Sequence, residues 1–313
     1  MSVVFLGTSE FAAAILERLA RSDAYRPTLV LTRPDRPSGR GRQLSSPPVA
    51  DRARALGITL EQPQSVNDPD AHELIARAGN PQSPSGGVAA RQTVIVCAFG
   101  ALIKEPLLSA HEILNVHPSL LPRWRGAAPV ERAIMAGDLE SGVSIMRLTA
   151  GLDSGPVCLA AAEAIHPQDT YGSLAARLQE LGGDLLVRAL EEQPPFAEQT
   201  EDGVTYAEKI GPADRLLDPS NPALELERVV RALHPHIGAR VELSDGTLLG
   251  VHRAALADAI TTGRGEPGVA VREGRLLLDC AHGVLELLVV QPPGGRAMDA
   301  SAYLRGHGEP GRR

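Results

Sequence analysis

The stretch Val3-Val4-Phe5-Leu6-Gly7-Thr8-Ser9-Glu10-Phe11-Ala12 decides the fold of the first part of this chain. Four consecutive apolar residues favour a buried strand, and the short Gly-Thr-Ser turn leads directly into the apolar run Phe11–Ala20. Ser9 is a typical N-cap residue, because its hydroxyl can accept a hydrogen bond from a free amide in the first helical turn. The stretch therefore predicts a strand, a tight turn and a helix.

The same alternation of strand and helix patterns continues to about residue 192. The predicted strands are Thr28–Thr32, Thr93–Ala98 and Ile113–His117, and the predicted helices are Val49–Leu56, Pro129–Ala136 and Tyr171–Glu191. This alternation indicates an α/β fold with a parallel sheet, in which ligands bind beyond the carboxyl ends of the strands. Because Gly7, Gly100 and His117 all lie at such ends, we expect them to share one cleft.

The last third of the chain has a different pattern. Residues 193–213 are rich in proline and acidic side chains and are expected to form a linker. A helix is predicted at Glu225–Leu233, and short strands are predicted at Arg240–Leu243, Leu248–Arg253, Gly268–Val271, Gly274–Leu278 and Val284–Val290. This indicates a small OB-like β-barrel. We expect a catalytic domain at 1–192, a linker at 193–213, a second domain at 214–313, and a frayed tail at 306–313.

Composition sets limits on the class of protein. The 313 residues suit two domains, and no apolar run approaches the roughly 20 residues that a membrane span needs. The chain enters a strand at once without a signal-peptide pattern, and its three cysteines lack metal-ligand spacing, so we expect a cytoplasmic protein without a metal. The net charge of −7 argues against a wholly basic nucleic-acid binder. Residues 208–313 carry 13 basic and 14 acidic groups, so RNA contacts would depend on local clusters.

Asn115, His117 and Asp153 are candidates for acyl-transfer chemistry. Asn115 and His117 are two residues apart in a predicted strand, so their side chains point to the same face. An amide can bind the oxyanion of a tetrahedral intermediate, an imidazole can move a proton beside it, and a carboxylate can orient the imidazole. Spacing alone leaves other interpretations open: a structural hydrogen-bonding histidine, an asparagine that caps the strand end, and an aspartate that serves only the turn.

A longer string around these residues narrows the choice. Asn115-Val-His-Pro-Ser-Leu-Leu-Pro-Arg-Trp-Arg-Gly-Ala-Ala-Pro129 resembles the signature of the folate-dependent formyltransferases, most closely those that act on methionyl-initiator tRNA. The resemblance is nearly full length and includes Gly7–Ala12, Arg33–Arg42, Thr205–Lys209 and Gln291–Gly294. It implies a Rossmann-like formyl-transfer domain followed by an OB-like barrel. It also implies 10-formyltetrahydrofolate as the formyl donor, with no metal, no membrane and no obligate protein partner.

The resemblance assigns roles to individual residues. It implies catalysis by Asn115, His117 and Asp153. It implies folate contacts by the segment Ser119, Leu120, Leu121 and Pro122, and by Phe99 and Gly100, where Phe99 replaces the usual tyrosine of the family. A proline-bounded loop with two leucines suits a flat heterocycle, and it is equally compatible with a rigid turn after a strand.

An arginine cluster is the main candidate for RNA contact. Arg33, Arg36, Arg40 and Arg42 lie within ten residues, and only Asp35 opposes them. The glycines and prolines among them predict a loop, whose composition alone would also suit a solvated surface. The resemblance implies that Arg36, Arg40 and Arg42 enter the acceptor stem of methionyl-initiator tRNA, and that Lys209 contacts the tRNA as well.

Several alternatives remain beside this hypothesis. The Gly7–Ser9 turn lacks the Gly-x-Gly-x-x-Gly pattern of dinucleotide binding, and it also lacks the glycine-rich phosphate loop of glycinamide-ribonucleotide formyltransferases. A formyltransferase for an amino-sugar nucleotide would not need the arginine cluster. A non-catalytic RNA-binding protein would not need an intact set of Asn115, His117 and Asp153.

One segment departs from the family pattern. Ala78–Gln92 is an insertion made of small, polar and helix-breaking residues, which cannot build a core. We expect a surface loop without a catalytic role.

Overall fold

The computed structural model describes residues 2–38, 43–78, 92–257 and 267–308, and these residues form two compact units. The first unit comprises Met1–Pro129, Ser141–Ala164 and Ala175–Ala207. The second comprises Val130–Glu140, Ile165–Leu174 and Glu208–Arg313. The two units thus alternate along the sequence, and the expected division into 1–192, 193–213 and 214–313 stays a prediction.

The helices and strands follow one another as strand–helix repeats and then as consecutive strands. Up to residue 207 the elements are β1 (Ser2–Gly7), α1 (Glu10–Ala20), β2 (Leu29–Leu31), β3 (Arg36–Ser38), β4 (Gln43–Ser45), α2 (Pro48–Ala55), β5 (Thr59–Glu61), α3 (Pro69–Ala78), β6 (Gln92–Cys97), α4 (Leu107–Ala110), β7 (Glu112–His117), β8 (Arg125–Gly126), α5 (Pro129–Ala136), β9 (Glu140–Arg147), β10 (Val157–Ala164), α6 (Tyr171–Glu192) and β11 (Tyr206–Ala207). They continue with α7 (Ala223–Leu233), β12 (Ala239–Glu242), β13 (Leu248–Leu256), β14 (Gly268–Arg272), β15 (Arg275–Asp279), β16 (Val284–Gln291), β17 (Met298–Asp299) and α8 (Ala300–His307).

A seven-stranded sheet forms the centre of the first unit, in the order β10-β9-β7-β6-β1-β2-β5. The five strands from β7 to β5 pair in parallel, which confirms the α/β prediction. One edge of the sheet departs from this parallel pattern, because β9 pairs with β7 in antiparallel fashion. Neither β9 nor β10 was predicted, since Ser141 and Ser144 interrupt the apolar pattern of β9, although both serines are buried.

The strand–turn–helix prediction at the N-terminus is confirmed. Ser9 caps α1 by accepting a hydrogen bond from the amide of Ala12. A side chain at Gly7 would place its Cβ atom 2.7 Å from the Cβ of Ala12, so the turn needs a residue without one. The close packing of β1 on α1 therefore depends on this glycine.

The arginine-rich segment is a hairpin rather than the predicted loop. β3 and β4 pair in antiparallel register, with Arg36 opposite Ser45. A hairpin needs only three residues per strand here, so the prolines and glycines did not exclude it. Arg40 and Arg42 lie outside the described residues, as do residues 79–91 of the insertion between α3 and β6.

An antiparallel sheet dominates the second unit, which confirms the predicted β-rich module. Its strand order is β12-β13-β16-β15-β14, and β17 pairs with β16. Its core contains the apolar face of α7, with Leu226, Val230 and Leu233, packed in one cluster with residues such as Leu249 and Leu285. Helix α8 was not predicted, and it includes the first two residues of the expected frayed tail.

The expected linker is ordered over much of its length. Ala197 forms an isolated bridge with Val157, and β11 pairs in parallel with β8. These pairings attach residues up to Ala207 to the first unit. Among the residues that the structure describes, no helix has the length and apolar character to cross a membrane.

Candidate active site

The end of β7 presents the first two candidate residues. Asn115 and His117 are 8% and 4% exposed, and β7 is held between β6 and β9. Because side chains alternate along a strand, the spacing of two places both on one face. The pairing on both sides fixes the backbone from which they project.

The turn between β9 and β10 brings Asp153 to the same place. Its Oδ1 lies 3.5 Å from Asn115 Nδ2, and its Oδ2 lies 3.8 Å from His117 Nδ1. Asp153 adopts a left-handed backbone with φ of 44°, a conformation that aspartate and asparagine tolerate better than most residues. The structure thus brings together the three residues that the sequence predicted as catalytic.

The contacts of His117 identify which of its nitrogens carries a proton. His117 Nε2 lies 2.8 Å from the backbone carbonyl oxygen of Trp124. A carbonyl oxygen only accepts hydrogen bonds, so Nε2 is the donor, and in the neutral ring Nδ1 is unprotonated. The nitrogen that can gain or lose a proton is therefore Nδ1, which faces Asp153.

A set of residues that the sequence analysis did not assign holds Asp153 in position. The amide of Gly126 donates to Asp153 Oδ2 at 2.9 Å. Gln199 Nε2 donates to the carbonyl oxygens of Asp153 and Gly155 at 2.8 and 2.7 Å, and Arg125 Nε donates to Gln199 Oε1 at 3.0 Å. The Trp-Arg-Gly part of the signature string was a usable signal for Arg125 and Gly126, whereas nothing local marked Gln199.

The candidate folate segment follows His117 at the same sheet edge. Ser119 is buried, its hydroxyl donates to the carbonyl of Arg123 at 2.6 Å, and its own carbonyl accepts from Ser144 Oγ at 2.7 Å. These bonds fix the turn and leave Leu120 and Leu121 partly exposed. The segment therefore presents apolar side chains on a rigid backbone.

Phe99 and Gly100 lie at the end of the adjacent strand β6. Phe99 is 5% exposed and belongs to the apolar cluster of the first unit, while Gly100 is exposed with φ of 72°. Thr8 Oγ1 donates to the carbonyl of Phe99 at 2.8 Å, which ties the β1–α1 turn to this strand end. Of the two residues, Gly100 is the one whose backbone is accessible to a ligand.

The candidate tRNA-binding residues are described only in part. Arg36 is exposed on β3, and Lys209 is exposed in the second unit. Arg40 and Arg42 lie outside the described residues. Within the described ranges, no group of three or more histidine, cysteine, aspartate or glutamate side chains is arranged to hold a metal ion.

Comparisons with known proteins show the family to which the chain belongs. Residues 1–190 match the family model "Formyl transferase", and residues 209–308 match "Formyl transferase, C-terminal domain". The methionyl-tRNA formyltransferase of Dechloromonas aromatica is 39% identical over 98% of this chain and 96% of its own length. Further curated relatives that are 37–40% identical carry the same name.

Solved structures share the fold at lower identity. An N-formyltransferase from Helicobacter canadensis, in complex with folinic acid and dTDP-3-aminofucose, matches with a TM-score of 0.62 at 14% identity. The match covers 91% of this chain and 98% of the chain in that structure. A methionyl-tRNA formyltransferase from Clostridium thermocellum matches with a TM-score of 0.59 at 13% identity, over 83% of this chain and 95% of its own.

Proposed function

This chain belongs to the formyl transferase family, among the methionyl-tRNA formyltransferases, and we propose that it transfers the formyl group of 10-formyltetrahydrofolate to the α-amino group of methionyl-initiator tRNA. The observation that carries the proposal is the meeting of Asn115, His117 and Asp153 within 3.5–3.8 Å in a chain 39% identical to enzymes of that name. Because this substrate belongs to translation, we place the reaction in the cytoplasm.

In the proposed reaction the neutral amine attacks the formyl carbon and a new C–N bond forms. Asn115 Nδ2 and the protonated ring of His117 stabilise the negative charge that develops on the formyl oxygen. Asp153 accepts the proton that the amine loses, directly or through a water molecule. The bond between the formyl carbon and N10 of the folate then breaks, and N10 takes up a proton, so that charge and atoms balance.

The proton that N10 receives is assigned to His117 Nδ1. Nε2 cannot serve, because the carbonyl of Trp124 holds it as a donor at 2.8 Å. Asp153 Oδ2 lies 3.8 Å from His117 Nδ1, and Gly126 and Gln199 keep Asp153 in that position. Each group of the site thus has a role for which its contacts suit it.

The candidate folate segment fits a flat heterocycle. Leu120 and Leu121 offer apolar surface, and Gly100 offers an accessible backbone at the end of the neighbouring strand. Backbone amides and carbonyls there can form hydrogen bonds with the edge of a pterin ring. We assign folate binding to Phe99, Gly100 and Ser119–Pro122.

The tRNA is assigned to local basic groups, because the chain as a whole carries a charge of −7. The guanidinium groups of Arg36, Arg40 and Arg42 would pair with backbone phosphates or stack on unpaired bases. Lys209 would add one more contact.

The test is formylation by the purified protein with 10-formyltetrahydrofolate and one of three acceptors: methionyl-initiator tRNA, methionyl-elongator tRNA, or an amino-sugar nucleotide. We expect rapid formylation of the initiator tRNA alone. Formylation of the sugar nucleotide instead would assign the chain to the other branch of the fold family. No formylation of any acceptor would refute an enzymatic role.

A further inference from the structure

Arg33 follows β2 at the carboxyl edge of the sheet, and its guanidinium group lies over the backbone of Gly100. A Cβ atom placed on Gly100 would be 3.5 Å from Arg33 Cζ, 3.6 Å from Nη2 and 3.7 Å from Nη1. Three nearly equal distances mean that the flat face of the guanidinium is turned towards Gly100. Its N–H donors lie in the plane of the group and therefore point along the surface, where a ligand can reach them.

This guanidinium has no polar partner among the described residues. Within the described ranges, Arg33 forms one hydrogen bond, in which its backbone carbonyl accepts from Gln62 Nε2 at 2.9 Å. Asp35, the acid nearest in sequence, is already engaged by Gln62 and by Ser46 Oγ. A partly buried arginine whose donors have no partner in the described part of the chain can bind an anion, because a guanidinium binds carboxylates and phosphates through two parallel hydrogen bonds.

The order of the strands shows that Arg33 lies on the side of the sheet edge where Asn115 and His117 are found. The strands run in the order β7-β6-β1-β2, and neighbouring strands are about 4.8 Å apart. Gly100, which the guanidinium covers, follows β6, and β6 pairs directly with β7, which carries Asn115 and His117. The anion that it binds therefore belongs to a molecule held in the catalytic cleft, and not to the hairpin surface of Arg36.

We propose that Arg33 binds the 5′-phosphate of the terminal adenosine of methionyl-tRNA, an inference that rests on the proposed function. This phosphate is the anion of the tRNA nearest to the α-amino group, since only one ribose separates it from the methionyl ester. The glutamyl carboxylates of the folate are the other oxyanions available, and they lie at the end of the molecule remote from the formyl group. Arg33 thereby positions the amine and selects an aminoacylated nucleotide over a free amine.

The test compares two forms of methionyl-initiator tRNA. One is native, and the other has an uncharged methylphosphonate in place of the last internucleotide phosphate. The value of kcat/KM is measured for the wild-type protein, for Arg33→Gln and Arg33→Lys, and for the control Arg21→Gln, whose arginine is 68% exposed and pairs with Glu17 on α1. KM for the folate is measured for each protein.

We expect the wild-type protein to prefer the native tRNA by roughly ten- to hundredfold, the value of a charge-assisted hydrogen bond. Arg33→Gln should lower kcat/KM for native tRNA by a similar factor and use both tRNAs equally well. Arg33→Lys should keep part of the preference, because it retains the charge without the bidentate geometry. Arg21→Gln should match the wild-type protein.

Three results would overturn the inference: a wild-type protein indifferent to the methylphosphonate, an Arg33→Gln protein that still discriminates, or a defect confined to KM for the folate. The last would assign Arg33 to the folate carboxylates. The first is measured without any variant, so a poorly folded Arg33→Gln protein does not leave the inference untested. A wild-type protein that does not formylate native methionyl-tRNA at all would instead refute the proposed function.

Discussion

Replacing Asp153 by Asn should remove most of the catalysis while preserving the fold. The carboxylate lies 3.8 Å from His117 Nδ1, and the two side chains are 13% and 5% exposed. Opposite unit charges about 4 Å apart attract by about 4 kcal/mol at an effective dielectric constant of about 20. Because the proposed reaction uses the imidazolium of His117 and the carboxylate as a base, loss of this attraction and of the base should slow the reaction about a thousandfold.

The same substitution should change stability little. Asparagine tolerates the left-handed backbone at position 153, and its side-chain oxygen can still accept from the amide of Gly126. We therefore expect the thermal midpoint to fall by less than about 2 °C, equivalent to about 1 kcal/mol in a chain of this size. The measurements are single-turnover formylation of methionyl-tRNA and thermal unfolding, with Asp23→Asn as a control at an exposed carboxylate of the same unit.

Two outcomes would refute the reasoning. If Asp153→Asn keeps more than about a tenth of the wild-type single-turnover rate, the carboxylate is not a general base, because such groups contribute about 10²–10⁴-fold. If its midpoint falls by 10 °C or more, the residue serves the turn rather than the chemistry, as one of the sequence-based alternatives held.

Three further perturbations test other parts of the structure. Gly126→Ala should be destabilising by roughly 2–6 kcal/mol and inactivating, because φ is 122° and a Cβ atom would lie 2.7 Å from a backbone carbonyl oxygen. Gly203→Ala is the matched control, with φ of 79° and nothing within 4 Å, and should cost only about 1–2 kcal/mol in thermal unfolding. Equal losses for the two variants would contradict the steric argument. His234→Gln should reduce the loss of stability below about pH 6.5. Burial is the main cause that lowers the pKa of His234 below 6.5, and two neighbouring histidines lower it further. The unfolded chain therefore binds the proton more readily than the folded chain, and stability falls as the pH drops below 6.5. If the free energy of unfolding, measured with denaturant, falls equally for the variant and the wild type from pH 7.5 to 5.5, His234 is not the cause. Arg40→Ala combined with Arg42→Ala should raise KM for methionyl-tRNA with little effect on KM for the folate; steady-state kinetics that show a defect only for the folate would exclude these two arginines from the tRNA site.

The sequence alone determined those features that depend on residues close together in the chain. The apolar runs of β1 and α1, the cap at Ser9 and the bounds of Pro129–Ala136 follow from local periodicity and turn chemistry, and the structure confirms them. The spacing of Asn115 and His117 likewise placed both on one face, because alternation along a strand does not depend on the rest of the fold.

Tertiary structure decided whatever depends on distant partners. Asp153 is 38 residues from Asn115, and only the pairing of β9 with β7 brings the following turn to that strand end. The protonated nitrogen of His117 follows from a contact with the carbonyl of Trp124, and the turn of Asp153 is held by Gln199, 46 residues away. Such hydrogen bonds leave no trace in local composition.

The arginine cluster shows the same distinction. Composition grouped Arg33 with Arg36, Arg40 and Arg42, since all four lie within ten residues. In the folded chain Arg33 turns back over Gly100, 67 positions away, while Arg36 lies on a separate hairpin. The sequence determined which charges are present, and the packing of two non-adjacent strand ends decided which of them faces the catalytic cleft, because the direction of a long side chain depends on the surface that the fold places beside it.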